Sequence, residues 1–180
     1  MSQTKQRKRA KNLPYQEVGP LLLAAVGERL KSGDTDVGLR SLTQEVGTST
    51  NAVYSLFGSK DILCVAGAKQ AFVEVYKPPA NPTVESVTKE LHRVASKWPA
   101  LLRATYPHPT QSHSTEMLRP HVDLVSLSAT PMIIDQYTQA LGGNSNKATD
   151  AWRRIYSYLA GGTLWGEAPP LDETLHAGGF

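Results

Sequence analysis

The side chains able to do chemistry are unevenly spread along this chain of 180 residues. Lys5, Arg7, Lys8, Arg9 and Lys11 crowd the N-terminal stretch up to Pro14, which contains no acid. Taking those five from the 19 lysines and arginines leaves 14 basic residues against 16 acidic ones, so the net charge of +3 comes wholly from this tail. Cations placed before a folded domain suit an arm that reaches phosphates or a minor groove. Elsewhere the catalytic chemistries lack their parts. His108, His113 and Glu116 do not have the spacing of a metal site. There is no phosphate-cradling glycine loop and no nucleophile elbow. Cys64, the single cysteine, falls on the apolar side of its helix and reads as a small buried hydrophobe. The expectation is a protein that is not an enzyme and needs no metal or cofactor.

Bulk composition narrows the class further. Hydrophobic content of 40% with 19% charged residues is that of an ordinary globular chain. No apolar run approaches the roughly 20 residues of a membrane span, and no apolar h-region follows the basic start. One cysteine allows no internal disulfide, which fits a reducing cytoplasm.

The elements that must position the functional side chains centre on Gly38 to Lys60. Leu39, Leu42 and Val46, then Val53 and Phe57, recur at helical spacing. Gly47 stands where a tight turn needs positive φ. Ser49 and Ser59 are suited to cap the two helices that follow them. Helix, glycine-containing turn, helix is the sequence shape of a helix-turn-helix. Around it the chain reads as helical throughout. Residues 1–13 form a disordered basic tail. Tyr15 to Val18 is a short lead-in, interrupted by Gly19-Pro20, and Leu21 to Lys31 is an amphipathic helix. Helices of about Leu39–Val46 and Thr50–Phe57 follow, then a longer one from Lys60 to Tyr76. Residues 77–82, with three prolines, form a linker. Beyond it come Thr83 to Lys97, a break at Trp98-Pro99, Ala100 to Tyr106, and a loop over Pro107 to His113. Ser114 to Ala129 is helical with a disturbance at Pro120. Pro131 begins a helix to about Leu141. Asn146 to about Glu167 is the last long helix, and Ala168 to Phe180 is a loose end. Period-two alternation is absent. The predicted fold class is all-α: a three-helix helix-turn-helix domain over 15–60, a connecting helix over 60–76, and a helical bundle over 77–180.

The stretch from Leu21 to Tyr76 resembles the DNA-binding domain of the TetR family of bacterial transcription regulators. The resemblance rests on Leu-Leu-Leu-Ala-Ala at 21–25, Leu39-Arg40-Ser41-Leu42, the Val46-Gly47 turn, Val53-Tyr54-Ser55-Leu56-Phe57, and Ser59-Lys60 before Asp61-Ile62-Leu63. Asn51 stands where the family commonly has Gly, Thr43 where it has Ala, and Leu56 where it has His. The resemblance implies that Ser49, Thr50, Asn51 and Ala52 open a recognition helix. There Asn can bond an adenine edge, and Thr and Ala offer methyls to thymine. It implies phosphate contacts by Tyr54, Ser55 and Lys60, a phosphate or guanine contact by Arg40, and anchoring by Arg7, Lys8 and Arg9 of the arm. In the C-terminal half it implies an effector cavity and a dimer interface. Trp98, Leu102, Tyr106, Met117, Leu124, Tyr137, Trp152 and Tyr156 are the candidate cavity residues, with Trp165 beside them. The implied protein is a dimeric repressor that binds a palindromic double-stranded operator, is released by a small-molecule effector, and has no membrane partner. A DNA-binding dimer without an effector and a small α-helical enzyme are the other readings.

Overall fold

A computed structural model describes residues 15–105, 128–164 and 167–180, with side chains from residue 17. Among these residues every regular element is an α-helix and there is no strand. In order they are α1 (Tyr15–Lys31), α2 (Leu39–Val46), α3 (Thr50–Phe57), α4 (Lys60–Val75), α5 (Val84–Lys97), α6 (Pro99–Thr105), α7 (Thr130–Ala140), α8 (Ser145–Leu164) and α9 (Leu171–Ala177). No described helix is long and apolar enough to cross a membrane. The expected disordered tail, residues 114–127 of the expected helix over 114–129, and Arg7, Lys8, Arg9, Tyr106, Met117, Leu124 and Trp165 lie outside the described residues; Ser128 and Ala129 are not helical.

Two expectations about helix limits are corrected. The first helix does not break at Gly19-Pro20: α1 runs through Pro20. Val18, Leu22, Val26 and Leu30 fall four residues apart and are all buried. Burying a side chain such as Val18 is worth about 1.5–3 kcal/mol, which offsets the backbone bond that Pro20 cannot make near the helix start. The C-terminus is not loose either, because it ends in α9. Pro169 and Pro170 lead into that helix, and Asp172 and Glu173 face the positive end of its dipole. His92 on α5 bonds the Pro169 carbonyl at 2.7 Å, and the Tyr158 hydroxyl on α8 donates to Glu173 at 2.6 Å. Glu167, the expected end of the last long helix, lies in a bend outside α8.

The chain builds two adjoining cores. In the first, α1 lies along α4, and α2, α3 and the start of α6 close the remaining sides. Small residues permit the α1–α4 approach. A Cβ added at Gly67 would lie 2.6 Å from a Val26 methyl and 3.0 Å from the Leu23 carbonyl. The second core packs α5, α7 and α8 against the end of α4. The connection between the cores is held down: the Lys77 N–H donates to Glu90 Oε1 at 2.6 Å, and Arg93 donates to both Glu90 and the Val75 carbonyl. Thr83 and Ser86 then start α5 with a reciprocal capping box.

Candidate nucleic-acid interface

α2 ends at Gly47, whose φ of 76° places it in the left-handed region. The Thr48 N–H returns to the Thr43 carbonyl at 2.8 Å, which closes the helix end. Ser49 then caps α3, its Oγ accepting from the Ala52 N–H at 3.3 Å. Gly58, again at positive φ, stops α3, and Ser59 caps α4 by accepting from the Ile62 N–H at 3.1 Å. These caps and turns occupy the positions expected from the sequence. They hold an eight-residue helix between two fixed ends.

Which side chains α3 shows outward follows from its core face. Ala52, Val53, Leu56 and Phe57 are buried in the first core. Asn51, Tyr54 and Ser55 are exposed on the opposite side, with Tyr54 51% accessible. Thr50 is half-buried. One implied contact is corrected: Ala52 is only 8% exposed and cannot offer its methyl to a base. The pairs 52–53 and 56–57 sit one helical turn apart, so all four residues must face the core together. Ser49 is exposed, but its oxygen is engaged in the cap.

The cations expected beside α3 differ in their engagement. Arg40, in the first turn of α2, is exposed and has no side-chain partner among the described residues. Lys60, at the start of α4, lies 3.3 Å from Asp36 Oδ1. Asp36 is almost wholly exposed, and an ion pair of that kind exchanges readily with solvent or another anion. α2 is fixed to α1 by Arg29, which donates to Ser41 Oγ at 3.0 Å and Glu45 Oε2 at 2.8 Å. Nothing in local sequence spacing announces that fork or the Lys60–Asp36 pair.

A second candidate site is a cavity of about 160 Å³ bounded by α4, α6, α7 and α8. Trp152 and Tyr156 line it, their rings 4.7 Å apart. The other described candidates are corrected. Leu102 and Tyr137 are buried in the second core. Trp98 lies under the Arg93 and Lys97 cations, at 5.4 and 4.7 Å from its ring centroid. A half-buried indole at the α5–α6 break attracts cations from its own helix. Lining residues that the sequence did not reveal include Lys69 and Phe72 of α4, Thr105 of α6, and Thr130 and Ile133 of α7. Burial pushes the Lys69 ammonium below its ordinary value. The Thr105 hydroxyl donates to carbonyls of its own helix and lies within hydrogen-bond distance of the Tyr156 hydroxyl.

No family model, curated protein or solved structure matches the chain.

Proposed function

We propose that the protein is a sequence-specific DNA-binding transcription regulator of the TetR type. It acts in the bacterial cytoplasm as a homodimeric repressor that a small molecule releases from its operator. The observation that carries this reading is the outward face of α3. A helix locked at both ends and sealed along one side offers Asn51, Tyr54 and Ser55 to solvent together. An amide, a phenol and a hydroxyl form a base-edge and phosphate kit. No charge stands on α3 itself, so affinity must come from Arg40, Lys60 and the basic tail. The effector would occupy the cavity at α4. Lys69 and Phe72 line that cavity, and the same helix begins shortly after Gly58, the stop of α3. A ligand that prefers one position of α4 would therefore bias the position of α3, and its effect is limited to that preference.

Selection of bound sequences from a random DNA pool tests the proposal. The expected product is a palindrome with half-sites about one helical turn, roughly 34 Å, apart. Failure to enrich any sequence overturns the DNA reading. On the selected site, Asn51→Ala should relax preference at one base position by about 1–3 kcal/mol, leaving other positions unchanged. Deleting residues 1–12 should weaken all sequences alike. It should also make the salt dependence shallower, by about 0.9 in slope for each phosphate that the arm neutralises in the intact protein. An unchanged slope would remove the arm from the mechanism.

A further inference from the structure

We infer that the groove between the end of α1, the start of α4 and α6 is a second small-molecule site, one that takes an apolar molecule carrying a single carboxylate. The groove encloses about 460 Å³, within the roughly 300–1,000 Å³ typical of small-molecule sites. Leu30, Val37, Val65 and Ala104 supply apolar wall, while Lys60 and Arg103 bring positive charge to it. It is separate from the aromatic cavity and shares no lining residue with it.

The pointer to a ligand is Arg103. Its Nε is buried and has no hydrogen-bond partner, and among the described residues it is the one such side-chain nitrogen or oxygen. Folded proteins rarely leave a buried donor unmet, because its lost hydration is not repaid. The Nε is closed to solvent as the side chain stands, so a carboxylate meets it once the guanidinium turns toward the groove, where its fork matches carboxylate geometry. Lys60 can turn from its exposed Asp36 partner toward the same anion at little cost. Asp61 also lines the groove. Among the described lining residues, two cations beside one carboxylate leave a single positive charge to be neutralised, which favours a monoanion over a phosphate dianion. The apolar walls then take the body of the molecule.

The chain carries its own reporter, because its only cysteine, Cys64, lines this groove and is half-buried. The test is the rate at which a neutral maleimide labels Cys64 in the full-length protein at neutral pH. Octanoate at saturation should slow labelling at least ten-fold, whereas octan-1-ol at the same concentration should change it less than two-fold. Arg103→Gln should label at its ligand-free rate in octanoate. Arg103→Lys, which keeps the charge without the fork, should need several-fold more octanoate for protection; circular dichroism checks that both variants fold. No protection by octanoate overturns the site. Equal protection by octan-1-ol, or full protection of Arg103→Gln, removes the carboxylate recognition. Stronger protection by octyl phosphate overturns the single-charge assignment. No DNA enters the measurement, so its outcome is independent of the regulator proposal.

Discussion

The two cores of this molecule are held together by different means. The first, around α1 and α4, is mainly aliphatic, and its buried threonine, Thr43, is met locally by donating to the Arg40 carbonyl of its own helix. The second joins its helices through tyrosine hydroxyls. Tyr76 donates to Gln136 at 2.6 Å and links the end of α4 to α7. Tyr137 is 2.8 Å from the Thr88 hydroxyl and links α7 to α5. Thr88 already spends its proton on the Val84 carbonyl, so Tyr137 must be the donor. Tyr156 ties α8 to α6 in the same manner. Shape fixes the region that carries α3, whereas directional bonds between helices fix the region around the aromatic cavity. In the proposed regulator, a surface that presents three side chains in one geometry gains from a core with few alternative packings. The proposed effector site is better served by bonds that survive small shifts in packing.

The largest expected effect tests the role of shape in the first core. Gly67→Val would push carbon against Val26 and against the Leu23 backbone oxygen, which has no rotamer to escape into. Overpacking of this kind costs about 3 kcal/mol, the upper end of its usual range. The gain in helix propensity over glycine recovers only a few tenths. Urea denaturation should show the loss. A change below about 1 kcal/mol would mean that α1 and α4 separate easily and that the first core is not fixed by shape.

The same contrast explains what can be read from the sequence. α2 and α3 are legible to the residue because Gly47, Ser49, Gly58 and Ser59 act on their immediate neighbours. Their function in capping and turning needs no knowledge of distant chain. Pro20 misleads by the same local logic: the burial of Val18 is a tertiary gain that local breaking rules do not contain. α9 escapes a local reading because its support comes from α5 and α8, far away in sequence. Ala52 is legible in principle, since its spacing with Val53, Leu56 and Phe57 already defines the core face. In the cavity, Trp152 and Tyr156 share one helix and can be paired by spacing. Lys69, Thr105 and Thr130 come from three helices, and only the fold brings them together.

A smaller effect is expected where directional bonding dominates. Tyr137→Phe removes the donor to Thr88 in a fully buried setting and should cost about 1 kcal/mol. Its clearer signature is in alkali. Burial raises the pKa of both Tyr76 and Tyr137 above the ordinary tyrosine value. Above about pH 10 the unfolded chain therefore releases protons that the folded chain retains. Stability is fully present below that pH and falls as pH rises toward the raised folded values, by up to about 1.4 kcal/mol per pH unit for each tyrosine. Tyr137→Phe should flatten this fall by removing its own contribution. Denaturation curves from about pH 8 to 11 that lie parallel for the two proteins would show that Tyr137 does not hold the second core in this way.

The smallest effect sharpens the boundary of the comparison, because the first core also has directional bonds, but only at its rim. Arg29 reaches Ser41 and Glu45 of α2 and lies 3.9 Å from Asp34. The carboxylates are exposed, so water competes for the fork and salt screens it. Arg29→Met keeps most of the side chain's apolar stem while removing the charge. It should cost about 0.5 kcal/mol at low salt and little at about 1 M salt. A loss several times larger, insensitive to salt, would make the α1–α2 junction a buried polar joint like those of the second core. The orientation of α2, and of the Gly47 turn leading into α3, would then depend on that fork rather than on packing alone.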